Sequence, residues 1–155
     1  MKKWYFICLL VFILSPYTKA QDKYNSVNWI TFEQLSDSLL QKPKKTILFF
    51  HTDWCTYCRK MMKETFQSKI VSEKINDAYY SVHFDAESTD SVYFDGQLYT
   101  NINTHKKTRS YHALARAFLG SEQPIFPTTI IIDEDFKVIL FEQRYLSIRE
   151  FLKFL

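Results

Sequence analysis

Ile47-Leu48-Phe49-Phe50-His51-Thr52-Asp53-Trp54-Cys55-Thr56-Tyr57-Cys58-Arg59-Lys60-Met61 is the stretch on which the reading of this chain turns. An apolar run of the kind found in a strand buried on both faces passes through a tryptophan into Cys-x-x-Cys, and a helical pattern follows. Strand, short turn and helix start together place Cys55 among the unpaired backbone N–H groups of a helix N-terminus, which stabilise a thiolate. Two intervening residues set the cysteines about one helical turn apart, so Cys58 can reach back and close a disulfide that reopens with little rearrangement. That arrangement suits exchange better than permanent cross-linking, because a two-residue loop constrains the unfolded chain very little.

Working outward, Asn28 to Ile30 reads as a short first strand, and Thr31 as the N-cap of a helix over Phe32 to Gln41. Its apolar face carries Phe32, Leu35, Leu39 and Leu40, and Pro43 closes it. The motif helix runs from Cys55 to Phe66, Ser68 to Asn76 forms another, and Tyr79 to Asp85 alternates as a strand. Asp95-Gly96 between Ser91–Phe94 and Gln97–Thr100 predicts a type I′ hairpin. Asn101 to Arg109 is a polar loop, and Tyr111 to Leu119 is a helix capped by Gly120. Pro127 to Asp133 is a buried strand, with Lys137 to Phe141 as its antiparallel partner beyond a turn at Glu134-Asp135. Ser147 to Leu155 closes the chain as a helix, with Ser147 as cap and Glu150 three residues on.

Residues 1 to 20 read as an export signal: Lys2 and Lys3, an apolar run from Trp4 to Leu14, then Thr18-Lys19-Ala20 as a cleavage site. That run falls short of the roughly 20 apolar residues that span a bilayer, so no stable membrane insertion is expected after cleavage. Cleavage removes three basic residues and no acidic one from a chain with 20 basic and 17 acidic, so the mature chain is neutral. Neutrality without a basic block argues against nucleic acid or an anionic membrane surface as partner. Removal of Cys8 with the signal leaves two cysteines, Cys55 and Cys58. Residues 21–155 are enough for one domain with one core.

The element order resembles the thioredoxin fold: an α/β domain with a mixed central sheet flanked by helices, here with a β-hairpin inserted before the third main helix. Trp54-Cys55-Thr56-Tyr57-Cys58 matches the family's Trp-Cys-x-x-Cys, and Phe126-Pro127-Thr128 matches its cis-Pro-Thr element about seventy residues on. Asp53-Trp54-Cys55 followed by Glu64-Thr65-Phe66 is most similar to exported members of the superfamily, including the periplasmic C-terminal domain of the membrane electron transporter DsbD. The resemblance implies Cys55 as the exposed nucleophile, Cys58 as the buried resolving thiol, a cis Pro127 packed on the dithiol, and Phe126 pairing its backbone with an extended substrate. Trp54 would shield the dithiol at the substrate surface. Two positions depart from the pattern: Phe49 stands where thioredoxins carry a buried Asp that takes a proton from the second cysteine, and Met62 stands where the DsbD domain has Glu. His51 could fill that role, or be a packed or solvated residue at a strand end.

The chemistry expected is thiol–disulfide exchange without a cofactor, in an exported and periplasmic setting, with disulfide-bearing or thiol-bearing client proteins and a separate redox partner, membrane-bound or soluble. The nearest resemblance suggests reduction; oxidation or isomerisation is the alternative. Arg59 and Lys60 either favour the Cys55 thiolate by charge or form a solvated face. A metal site is the rival class, but His105 and His112 do not follow the usual zinc spacing and are expected to face solvent. Haem attachment is excluded because Arg59, not His, follows the motif. A redox-inert binding module on the same scaffold is the third reading.

Overall fold

The computed structural model describes residues 26–101, 110–121 and 123–155. The expected leader with Cys8, and most of the polar loop with His105, lie outside the described residues. Helices α1 (Phe32–Gln41), α2 (Thr56–Lys60), α3 (Lys69–Ala78), α4 (Ala113–Leu119) and α5 (Ile148–Phe151) surround strands β1 (Lys45–His51), β2 (Tyr79–Asp85), β5 (Thr128–Ile132) and β6 (Val138–Glu142); β3 (Val92–Phe94) and β4 (Gln97–Tyr99) form the hairpin. The main sheet has the order β2-β1-β5-β6, with β1 parallel to β2 and antiparallel to β5, and β6 antiparallel to β5. This is the mixed sheet and separate hairpin expected from the sequence.

Strand β1 is the axis. Its Ile47, Leu48, Phe49 and Phe50 are essentially without exposure, because both neighbours are paired and both faces are covered. Alternation splits the core in two. Ile47 and Phe49 face the side of Met61, Phe66, Val71, Ile75 and the two cysteines, while Leu48 and Phe50 face Phe32, Leu35, Val82 and Leu114. On the second side the rings of Phe32, Phe50, Phe94 and Phe118 make edge, tilted and stacked contacts at 5.1–6.4 Å, so the hairpin's Phe94 belongs to the core.

Local chemistry explains the ends. The Thr31 hydroxyl accepts from the Gln34 N–H and the Gln34 side chain accepts from the Thr31 N–H, and Ser147 with Glu150 repeats this capping box at α5. Asp95 and Gly96 take φ of 50° and 74°, the left-handed pair that a type I′ turn requires. Glu33 accepts the Tyr93 N–H at 3.0 Å and ties the hairpin to α1.

Several expectations change. The first strand shrinks to a single parallel bridge from Trp29 to Ser81, since Asn76 holds Ser26 and Asn28 on one side and the Thr31 cap begins a helix on the other. Leu40 is exposed, because eight residues after Phe32 the helix has turned it away from the face that Leu39 keeps. The motif helix begins at Thr56, with Cys55 as cap, and its second half, Met61–Thr65, is a π-helical turn in which the Phe66 N–H donates to the Met61 carbonyl. The last helix ends at Phe151, short of the expected Leu155.

His112 is fully buried and not on a solvated face. Its Nδ1 accepts the Leu114 N–H at 3.1 Å as the cap of α4, so Nε2 carries the proton and donates to the Asp90 carbonyl at 2.9 Å. A buried imidazole thereby joins the hairpin approach to α4. Replacing it, His112→Ala, should lower unfolding free energy by about 2–4 kcal/mol through a lost cap and unpaired groups. His112→Asn, which restores a capping side chain, should recover part of that loss in urea titrations.

Candidate active site

The turn Thr52-Asp53-Trp54 carries the chain from the half-buried end of β1 into α2, and the Cys55 N–H closes it on the Thr52 carbonyl at 3.1 Å. Cys55 is the N-cap of α2: its Sγ accepts the Cys58 N–H at 3.1 Å. The two cysteines form a disulfide, with Cα atoms 5.2 Å apart. Their sulfurs therefore sit at the helix start, where unpaired N–H groups favour negative charge.

Cys58 is buried, as the sequence suggested, but Cys55 is buried as well, at 5% exposure. Its side chain is tucked over the first turn of α2 by the disulfide and the Cys58 N–H, within the cluster where Trp29, Met62, Phe126 and Tyr145 also pack. The exposed part of the rim is aromatic. Tyr57 is 63% and Trp54 51% exposed, and Ile125, next in the chain to the Phe126 that meets Trp54, is exposed as well. Trp54 does not lie flat as a lid: its Nε1 donates to Glu87 at 2.9 Å, and its ring meets Phe126 edge-on at 6.2 Å. The Phe126–Pro127 peptide bond is cis and Pro127 is buried.

The cations have fixed local partners. Arg59 donates to the Asp53 carbonyl and to the Thr56 hydroxyl, bracing the turn before Cys55. Lys60 pairs loosely with Glu64 at 3.9 Å and lies over the Tyr145 ring at 5.0 Å. Among the described residues no group of three or more His, Cys, Asp and Glu side chains is placed to hold a metal, and no helix is long and apolar enough to cross a membrane.

Phe49 is fully buried, edge-on to Phe66 at 4.9 Å and stacked with His51 at 5.8 Å, so an aromatic ring occupies the place of the missing acid. Met62 packs against the same cluster. His51 Nε2 lies 3.0 Å from Nδ1 of His83, a residue that sequence reading did not single out. The alternation of β2 could have put His83 on one face, but only the parallel register, which sets Phe49 opposite His83 and His51 opposite Asp85, brings the two imidazoles together. Burial, reinforced by His83, pushes the His51 pKa down to about 4, against a partial opposing effect of Asp53. Desolvation lowers His83 and His112 too.

The model of the thioredoxin-like domain family matches residues 32–155. No curated protein sequence gives a significant match. Among solved structures, the chain is similar to a thioredoxin from Thermus thermophilus (18% identity, 83% of each chain covered, TM-score 0.56). It is also similar to the DsbH oxidoreductase (19% identity, 77% of this chain and 74% of that one, TM-score 0.52). The oxidised C-terminal domain of DsbD from Neisseria meningitidis is a further neighbour (14% identity, 79% and 87% covered, TM-score 0.50). At these identities the likeness is one of fold.

The histidines give a signed expectation for stability. Each is harder to protonate in the fold than at its ordinary pKa of 6.5, so below that value the unfolded chain binds more protons. Their contribution is complete above about pH 6.5 and is lost as pH falls toward 4. Urea midpoints should be level from pH 8 to 7 and fall between 6.5 and 4, with a shallower fall for His51→Asn; a parent midpoint that rises on acidification would refute this.

Proposed function

The chain belongs to the thioredoxin-like domain family, and on that premise we propose that it is an exported thiol–disulfide oxidoreductase that reduces disulfides in client proteins. The observation that carries the proposal is the Cys55–Cys58 disulfide closed at the start of α2 beneath an exposed aromatic rim. In the reduced chain the Cys55 thiolate attacks a client disulfide, forming a mixed disulfide and releasing one client sulfur as thiolate. Cys58 then attacks Cys55, the Cys55–Cys58 bond forms, and the second client sulfur leaves. Two protein thiols are oxidised to one disulfide while one client disulfide is reduced to two thiols. A separate donor, in a membrane or soluble, returns the chain to the dithiol.

Phe126 precedes the cis bond beside Trp54, an arrangement suited to holding an extended client chain by its backbone amides while Trp54 and Tyr57 cover its side chains. The leader-like residues 1–20 support export into an oxidising compartment, where such a reductase would depend on its donor.

Two measurements test this reading. With dithiothreitol as donor, the full chain should accelerate insulin reduction, and Cys55→Ser should abolish the acceleration while leaving the fold intact by circular dichroism. Equilibration of Cys55 and Cys58 with glutathione buffers, read by alkylation and mass, should give a potential below about −230 mV, on the thioredoxin side of the scale. A value near about −120 mV would replace reduction with disulfide formation.

A further inference from the structure

We propose that His51, held by His83, is the proton acceptor for Cys58 when that thiol resolves the mixed disulfide, in place of the absent acid. The inference rests on the exchange reading above and adds to it the group that makes the second step run.

The geometry begins with a shared space. An open cavity of about 300 Å³ is lined by Cys58 together with His51, Thr52, Asp53, Met62 and Lys63. It is roomy enough for several waters. Its lining is charged and polar as well as apolar, with Asp53, Arg59 and Lys63 beside Cys58 and His51, which suits a wet space more than an apolar void. Cys58 is otherwise packed in an apolar cluster, where an unassisted thiol ionises reluctantly.

The histidine pair fixes which nitrogen is available. His51 Nε2 faces His83 Nδ1 at 3.0 Å, so the nitrogen of this cavity-lining ring that His83 does not engage is Nδ1. When His51 donates from Nε2 to His83, its Nδ1 carries the lone pair that accepts a proton. After protonation the Nε2 hydrogen still points at His83, so the imidazolium keeps its partner. His83 is itself held edge-on by Trp29 at 5.2 Å, and His51 is stacked on Phe49, so both rings are positioned by packing.

Charge decides when the proton moves. The groups around His51 are Asp53 in the turn, Arg59 and Lys63 from the motif helix along the cavity wall, and His83 and Asp85 on β2. In the oxidised chain this environment keeps His51 neutral, with Asp53 as the carboxylate opposing the downward shift. A thiolate forming at Cys58 adds a negative charge to the same cavity, and the resulting ion pair offsets the desolvation of the imidazolium. In the resolving step the Cys58 S–H proton passes to His51 Nδ1, directly or through one water. The Cys58 sulfur bonds to Cys55 Sγ, the bond from Cys55 to the client breaks, and the departing client thiolate takes up the proton. His51 is thus returned to its neutral form with each turnover.

The probe is 5,5′-dithiobis(2-nitrobenzoate) added to the full chain after reduction and removal of reductant. Cys55 releases the first thionitrobenzoate and Cys58 releases the second from the mixed disulfide. His51→Asn should leave the first release within about twofold of the parent and slow the second by about 100-fold at pH 7, the gap closing toward pH 9 as Cys58 ionises unaided. A second release within about twofold of the parent at pH 7 overturns the inference alone. A parent chain lacking the first release overturns the exchange reading and this inference with it. Should the variant fold poorly, the pH profile of the parent decides: with His51 already neutral and acting as base, the second release should change by less than about threefold between pH 6 and 8, and a rise of about tenfold per pH unit across that range, as for an unassisted thiol, overturns the proposal.

Discussion

Complete burial of one strand governs this molecule. β1 is paired along both edges and covered on both faces, so its four central apolar residues contribute to two cores at once. Each such side chain adds about 1.5–3 kcal/mol relative to exposure, and none can shift without disturbing both layers. The chain must leave this strand at a fixed point, and it leaves directly into the turn that Arg59 braces and Cys55 caps. The cysteines are therefore set by the stiffest element, although they lie at its rim.

Around that anchored dithiol the surface divides by function. Trp54, Tyr57 and Ile125 present apolar area outward, a form of exposure that folding alone does not favour. Directly behind them Phe49, Phe66, Phe151 and Trp29 form an aromatic wall of edge contacts. A carboxylate at position 49 would be enclosed by that wall, whereas a phenyl ring completes it. The polar capacity of the site is displaced two residues along the strand, to His51 at the half-buried end of β1, where water and a second imidazole can reach it.

The hairpin has a structural role in this arrangement. Its two strands pair with each other and, among the described residues, with no strand of the main sheet, so it does not extend that sheet. Phe94 and Val92 instead close the end of the core between α1 and α4, and the buried His112 ties the segment at Asp90 to the start of α4. The π-helical turn at Met61–Thr65 is a comparable local adjustment. It keeps Met61, Thr65 and Phe66 all buried, and lets the Thr65 hydroxyl donate to the Leu146 carbonyl at 2.8 Å.

The sequence alone settled features that depend on neighbours along the chain: the continuous apolar run of β1, the Thr31 and Ser147 caps, the Asp95-Gly96 turn, and the spacing that lets Cys58 reach Cys55. In each case the deciding forces act across two to four residues, within reach of inspection. The burial of Cys55 and His112, the exposure of Leu40, the shrinkage of the first strand and the meeting of His51 with His83 were decided by tertiary structure. Those outcomes depend on strand register and on which faces are covered, and the two histidines, 32 positions apart in the chain, have no local signal that would bring their rings together.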